Sequence, residues 1–235
     1  MFSVLGLGFL IGMRHAMEAD HAAAVATLAT KSQSVANTVR QGLTWGLGHT
    51  ITLLLFGSMV FLLEAAVPEK LANWLELAVG VMLVGLGCDV LRKIAKSRIH
   101  VHVHQHPHQS PHVHVHSHRE ESDHRTPDHH HTHSTAFPYR ALFVGLMHGM
   151  AGSAALILLT LQQTVTPLQG ITYIATFGLG SIVGMATLSV VIAIPLRYSS
   201  RSINWLHNGL QGSIGAITIA LGLMLIYTTG SFLLS

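Results

Sequence analysis

FLIGMRHAMEADHAA, residues 9–23, is an apolar run broken by five polar side chains, and it has an echo in LFVGLMHGMAGSAAL, residues 142–156. Gly12 aligns with Gly145, His15 with His148, Met17 with Met150 and Asp20 with Ser153. Two further matches follow at almost the same offset. GLGH (Gly46–His49) falls on GLGS (Gly178–Ser181), and Val79-Gly80 falls on Ile214-Gly215, with Gly87 on Gly222. A duplicated unit explains this spacing; chance matching between Gly- and Leu-rich helices is the competing explanation.

The units are made of membrane-type sequence. Of the 235 residues, 49% are hydrophobic and only 10% are charged. An ordinary soluble domain carries about a quarter charged residues. These proportions exclude a soluble enzyme, a nucleic-acid binder and a disordered regulator. The pI of 9.3 does not restore nucleic acid as a partner, since the net charge is only +3 and no basic stripe with interleaved aromatics is present. Six apolar stretches, 2–28, 41–63, 72–92, 139–161, 168–196 and 203–233, each suffice to cross a hydrocarbon core of about 30 Å. The first lacks a basic leader region and a cleavage site before Arg14, so it reads as a span and not as a removed signal peptide. The one cysteine, Cys88, excludes a disulfide framework and a Cys-based zinc site.

The expected fold is therefore an all-α integral membrane protein of six transmembrane helices. Residues 1–95 form a first three-helix repeat and 138–235 a second. Three spans per repeat is an odd number, so the second repeat lies upside down relative to the first, as in many secondary transporters. Lys31, Arg40, Arg92, Lys93, Lys96, Arg98, Arg197 and Arg201 all fall in loops of one side, which the positive-inside rule makes cytoplasmic. Both termini are then expected outside the cell membrane.

Residues 96–137 are a different material. They hold 14 of the 19 histidines: His100, His102, His104, His106, His108, His112, His114, His116, His118, His124, His129, His130, His131 and His133. With few apolar residues, this cytoplasmic loop is expected to lack structure of its own without a ligand. Its H-x-H alternation puts imidazoles on one side of an extended chain, suited to collecting metal. The competing reading is a solvated linker that binds metal incidentally.

Arg14, His15, Glu18, Asp20 and His21 are costly inside a span, about 2.5–3.5 kcal/mol for each ionised residue at mid-membrane. They must face the bundle, pair, or bind something. On a continuous helix His15, Glu18 and His21 share one face. Asp20 then needs a kink or a partner on another helix, and Arg14 is placed to neutralise Glu18. By helical rise His15 lies about 20 Å from the outer end of its span, with His49 about 12 Å and His148 about 13 Å in from the cytoplasmic side, so their heights agree. The candidate metal ligands are His15, Glu18, Asp20, His21, His49 and His148. Imidazoles with a carboxylate suit Ni²⁺, Co²⁺, Zn²⁺ or Cu²⁺ more than Mg²⁺ or Ca²⁺. The competing readings are a polar network locking helices together and, for Glu18, a simple partner for Arg14. Asp89 is expected to pair with Arg92 or Lys93. Gly42/Gly46, Gly145/Gly149 and Gly180/Gly184 are GxxxG pairs that specify close packing.

HAMEADH (15–21), preceded by Arg14, resembles the signature of the nickel/cobalt transporter superfamily. GLTWGLGHTITLLLFG (42–57) resembles that family's next motif. LELAVGVMLVGLG (75–87) and GLMHGMAGSAAL (145–156) are similar to its six-span urease-accessory (UreH-like) branch. The resemblance implies transport of Ni²⁺ or Co²⁺ as substrate, with no prosthetic group, and supply to cytosolic nickel-enzyme maturation proteins or metal homeostasis as the role. The second half departs from the eight-span permeases, offering little beyond His148, Ser153 and Ser181.

Efflux, and a membrane-bound metal store without transport, are the alternatives; a store would lose its function on deletion of 100–133, whereas a transporter would keep part of its flux. An intramembrane hydrolase is disfavoured, because HAMEADH is not H-E-x-x-H and Ser153 with His148 lacks a third orienting group. No enzymatic activity is expected.

Overall fold

Seven helices and one short two-stranded ribbon make up the described part of the computed structural model, residues 2–32, 34–63, 68–96, 100–104, 112–116, 137–163, 166–202 and 204–234. The helices are α1 (Phe2–His15), α2 (Ala19–Ala29), α3 (Val35–Leu63), α4 (Glu69–Lys96), α5 (Tyr139–Gln163), α6 (Pro167–Ser202) and α7 (Asn204–Leu234). Helix is the natural outcome for these apolar runs, because a backbone in lipid must satisfy its own polar groups.

The outside of the bundle is apolar. Leu10, Leu55, Phe143, Ile194, Met224 and Phe232 are all more than half exposed. Tyr139, Tyr198 and Trp205 stand exposed near one end, Trp74 and Tyr227 near the other, as aromatic belts do at the two membrane interfaces. Glu69–Lys96, Pro167–Ser199 and Trp205–Leu233 are each long and apolar enough to cross a membrane. The molecule is an integral membrane protein.

Close backbone approaches hold the helices together. A Cβ added to Gly12 on α1 would overlap the carbonyl oxygen of Phe177 on α6, and one added to Gly145 on α5 would overlap that of Trp45 on α3. Gly180 meets the Phe9 carbonyl in the same way, and Gly48 meets that of Leu142. On the remaining pair, Gly80 lies against Gly222 and Gly87 against Gly215. Small residues permit this contact, and van der Waals packing then supplies the association that the hydrophobic effect cannot give within lipid. These contacts run α1 parallel to α6 and α3 parallel to α5, while α3 opposes α6 and α4 opposes α7. Trp45, Val25, Leu83 and Met185 centre one buried cluster; Leu53, Tyr173, Ile174 and Phe177 form another.

One expectation changes here. The first apolar stretch is not one helix: it breaks at residues 16–18 into α1 and α2. Within the histidine-rich loop, β1 (His100–His104) pairs antiparallel with β2 (His112–His116) in the register His100↔His116, His102↔His114, His104↔His112. Both strands read HVHVH, and the β-branched valines favour an extended backbone. His106, His108, His118, His124, His129, His130, His131 and His133 lie outside the described residues.

Candidate metal centre

The break in the first span builds the site. Met17 N–H donates to the Arg14 carbonyl at 2.9 Å and Glu18 N–H to that of His15 at 3.0 Å, so the freed backbone groups stay satisfied. Glu18 is extended, with ψ of 153°, and α2 restarts at Ala19. Asp20 therefore sits in the first turn of α2, where the positive end of the helix dipole favours a carboxylate. The backbone N–H of His21 donates to its Oδ1 at 2.9 Å.

From this position Asp20 holds two imidazoles. His21 Nδ1 donates to Oδ1 at 3.0 Å, and His148 Nε2, from α5, donates to Oδ2 at 2.9 Å. Glu18 does the same for His15, whose Nδ1 lies 3.0 Å from Oε2. The expected Arg14–Glu18 pair is thus replaced by His15–Glu18, because the break turns Glu18 back over the end of α1. The shared face expected for His15, Glu18 and His21 on one straight helix is lost for the same reason.

The four histidines converge. Ring centroids lie 4.4 Å apart for His15–His21, 5.4 Å for His15–His49, 5.3 Å for His21–His49 and 4.2 Å for His21–His148. In two groups the potential ligand atoms all fall within 4.8 Å of one another: His15, His21 and His49, and Asp20, His21 and His148. His21, His49 and His148 are at most 2% exposed. Among the described residues, His21 Nε2, both nitrogens of His49 and His148 Nδ1 have no hydrogen-bond partner. An unmet buried polar atom costs about 1–3 kcal/mol. A carboxylate holding one ring nitrogen while the other faces a shared point is how metal-ligating histidines are oriented. The arrangement can therefore take a borderline cation on His15, His21 and His49, with Asp20 and Glu18 behind the ligands. Glu18, 57% exposed, belongs to neither group.

Two walls of the site were not anticipated. Phe177 lies 5.3 Å from the His15 ring; Trp45 lies 5.5 Å from His21 and 5.8 Å from His148. Their signal was present, since Thr44-Trp45-Gly46 and Thr176-Phe177-Gly178 extend the GLGH/GLGS match by two residues. Ser181, the counterpart of His49, donates to the Gly12 carbonyl at 3.2 Å. The side chain of Ser153 lies outside the described residues. Asp89 pairs with Lys31 and, at 2.6 Å, with Arg140, in place of Arg92 or Lys93. His207 is held by Ser199 Oγ at 3.1 Å and Gln211 Nε2 at 2.9 Å, away from the cluster.

A helical membrane bundle with a histidine–carboxylate cluster buried at its centre defines the class of protein. The chain belongs to the UreH family, the urease-accessory branch of the nickel/cobalt transporter superfamily that its motifs resemble. It is 34% identical over 231 residues to the urease accessory protein UreH of Bacillus sp. (strain TB-90), a match covering 98% of this chain and 93% of that relative. No protein-family model matches the chain, and no solved structure matches it.

Proposed function

We propose that this protein carries Ni²⁺, with Co²⁺ as a second substrate, across the cell membrane to supply a nickel enzyme such as urease. The observation that carries this reading is the set of buried imidazole nitrogens without partners, drawn from His21 and His49 and facing the same point as His15. A structural polar network would leave no such atoms unmet, so the bland alternative is weaker. The urease-accessory name of the relative supports a role in serving a urease. Metal binding needs neutral imidazoles, so it competes with protons, and proton coupling is consistent with this chemistry. No catalytic step and no prosthetic group enter the reading.

The six-span, inverted-repeat architecture is part of the same proposal. Exchanging the halves by the sequence offsets turns the Gly12–Phe177 contact into Gly145–Trp45, and Gly180–Phe9 into Gly48–Leu142. It likewise turns Gly80–Gly222 into Gly215–Gly87. The helix directions also alternate as six successive crossings require. In this orientation residues 1–95 and 138–235 are the two units, the basic end is cytoplasmic and both termini are outside. The HVHVH ribbon, with the other loop histidines, is an accessory metal collector on the cytoplasmic side.

Reconstitution into proteoliposomes tests the reading. Wild type is expected to move ⁶³Ni²⁺ and to prefer it over Zn²⁺ and Mn²⁺, whereas His15→Ala loses the flux. Absence of flux for every divalent ion would refute transport.

A further inference from the structure

Three polar side chains outside the histidine cluster have a buried atom that bonds to nothing among the described residues: Trp45 Nε1, in the wall of the site, and, farther from it, the Tyr173 hydroxyl and Gln41 Oε1. Tyr173 is 1% exposed; Gln41 is half-buried with its carbonyl oxygen fully covered. Their positions are related. Gln41 plus the offset of the GLGH/GLGS match is Tyr173, so they are counterparts in the two halves.

Each stands one turn beyond an aromatic wall of the metal centre. Tyr173 precedes Phe177 by four residues on α6, and Gln41 precedes Trp45 by four on α3, so each pair shares a helix face. Phe177 in turn touches His15, and Trp45 touches His21. Because α3 and α6 are antiparallel, the two series leave the cluster in opposite directions. The Tyr173 ring is pressed against Gly8 of α1, which leaves it little freedom to turn its hydroxyl elsewhere.

We infer that the Tyr173 hydroxyl and the Gln41 side-chain oxygen are the two waypoints of the transported divalent cation, one on each side of the central histidines, with the aromatic rings of Phe177 and Trp45 as the closures between waypoint and site. This rests on the transport reading above. The chemistry suits the task. A neutral oxygen holds a partly hydrated cation weakly enough to let it pass on, where a carboxylate would trap it; conduction requires this balance. Phenyl and indole rings block a hydrated ion until they move.

Tyr173→Phe separates this role from a structural one. The change removes only the oxygen. If the hydroxyl served packing alone, deleting an unmet buried group would leave the protein as stable or more so and change nothing else. As a waypoint its loss lowers the initial ⁶³Ni²⁺ flux in proteoliposomes by about tenfold, the cost of one charge-directed hydrogen bond at the barrier. Equilibrium Ni²⁺ binding to the detergent-solubilised protein and its melting temperature stay at or above wild type. Gln41→Leu gives the same pattern from the other half. Wild-type flux in both variants would overturn the inference alone, as would a loss of flux that merely follows a loss of binding or of melting temperature. A wild-type protein that moves no divalent ion would overturn the transport reading and this inference with it.

Discussion

Asp20 is the residue through which the two halves of the chain meet at the histidine cluster. One carboxylate oxygen takes His21 of its own helix and the other takes His148 from α5. Asn at this position has the same shape but no charge, and its amide nitrogen cannot accept from an imidazole N–H. Asp20→Asn is therefore expected to weaken Ni²⁺ binding by about 10–100-fold, the usual loss when a ligand's orienting partner is removed. Equilibrium dialysis on the purified protein would measure it. An unchanged affinity would mean that the imidazoles need no carboxylate to hold them. The histidines themselves were legible in the sequence, because charged and imidazole groups in an apolar run stand out against their cost. Their exact partners were not. Glu18 was equally spaced for Arg14, and only the turn at 16–18 directs it to His15.

At the scale of elements, the break between α1 and α2 shows where local sequence stops deciding. Residues 16–18 read Ala-Met-Glu, with no glycine or proline to end a helix. The break serves a distant demand: it brings Asp20 to His148, which lies 128 positions along the chain. The close helix contacts were better announced, as matched glycines. Gly12→Ala must push α1 from the Phe177 carbonyl, and Gly145→Ala must push α5 from that of Trp45. Overpacking of this kind costs about 1–3 kcal/mol. Each variant is expected to melt lower than wild type in detergent, by similar amounts because the contacts are counterparts. Unequal shifts, with one variant neutral, would argue against equivalent roles for the two contacts.

For the whole molecule, the apolar content and the six runs carried the membrane reading, and the duplicated offsets paired residues of one half with residues of the other. The charged side chains at the periphery escaped that logic, because a repeat alignment says nothing about groups present in one half alone. Asp89 is such a group: its counterpart by the same offset is Met224. It ties the segment after α2, through Lys31, to the start of α5, through Arg140. Pairs this exposed contribute at most about 1 kcal/mol each, yet together they staple one rim of the bundle. Fraying should then be slowed at this stapled rim. Hydrogen–deuterium exchange is expected to run faster in the last turns of α7 than in the first turns of α5, and Asp89→Asn is expected to narrow that difference. A molecule whose two ends exchange alike, before and after the substitution, would show that the knot bears no strain.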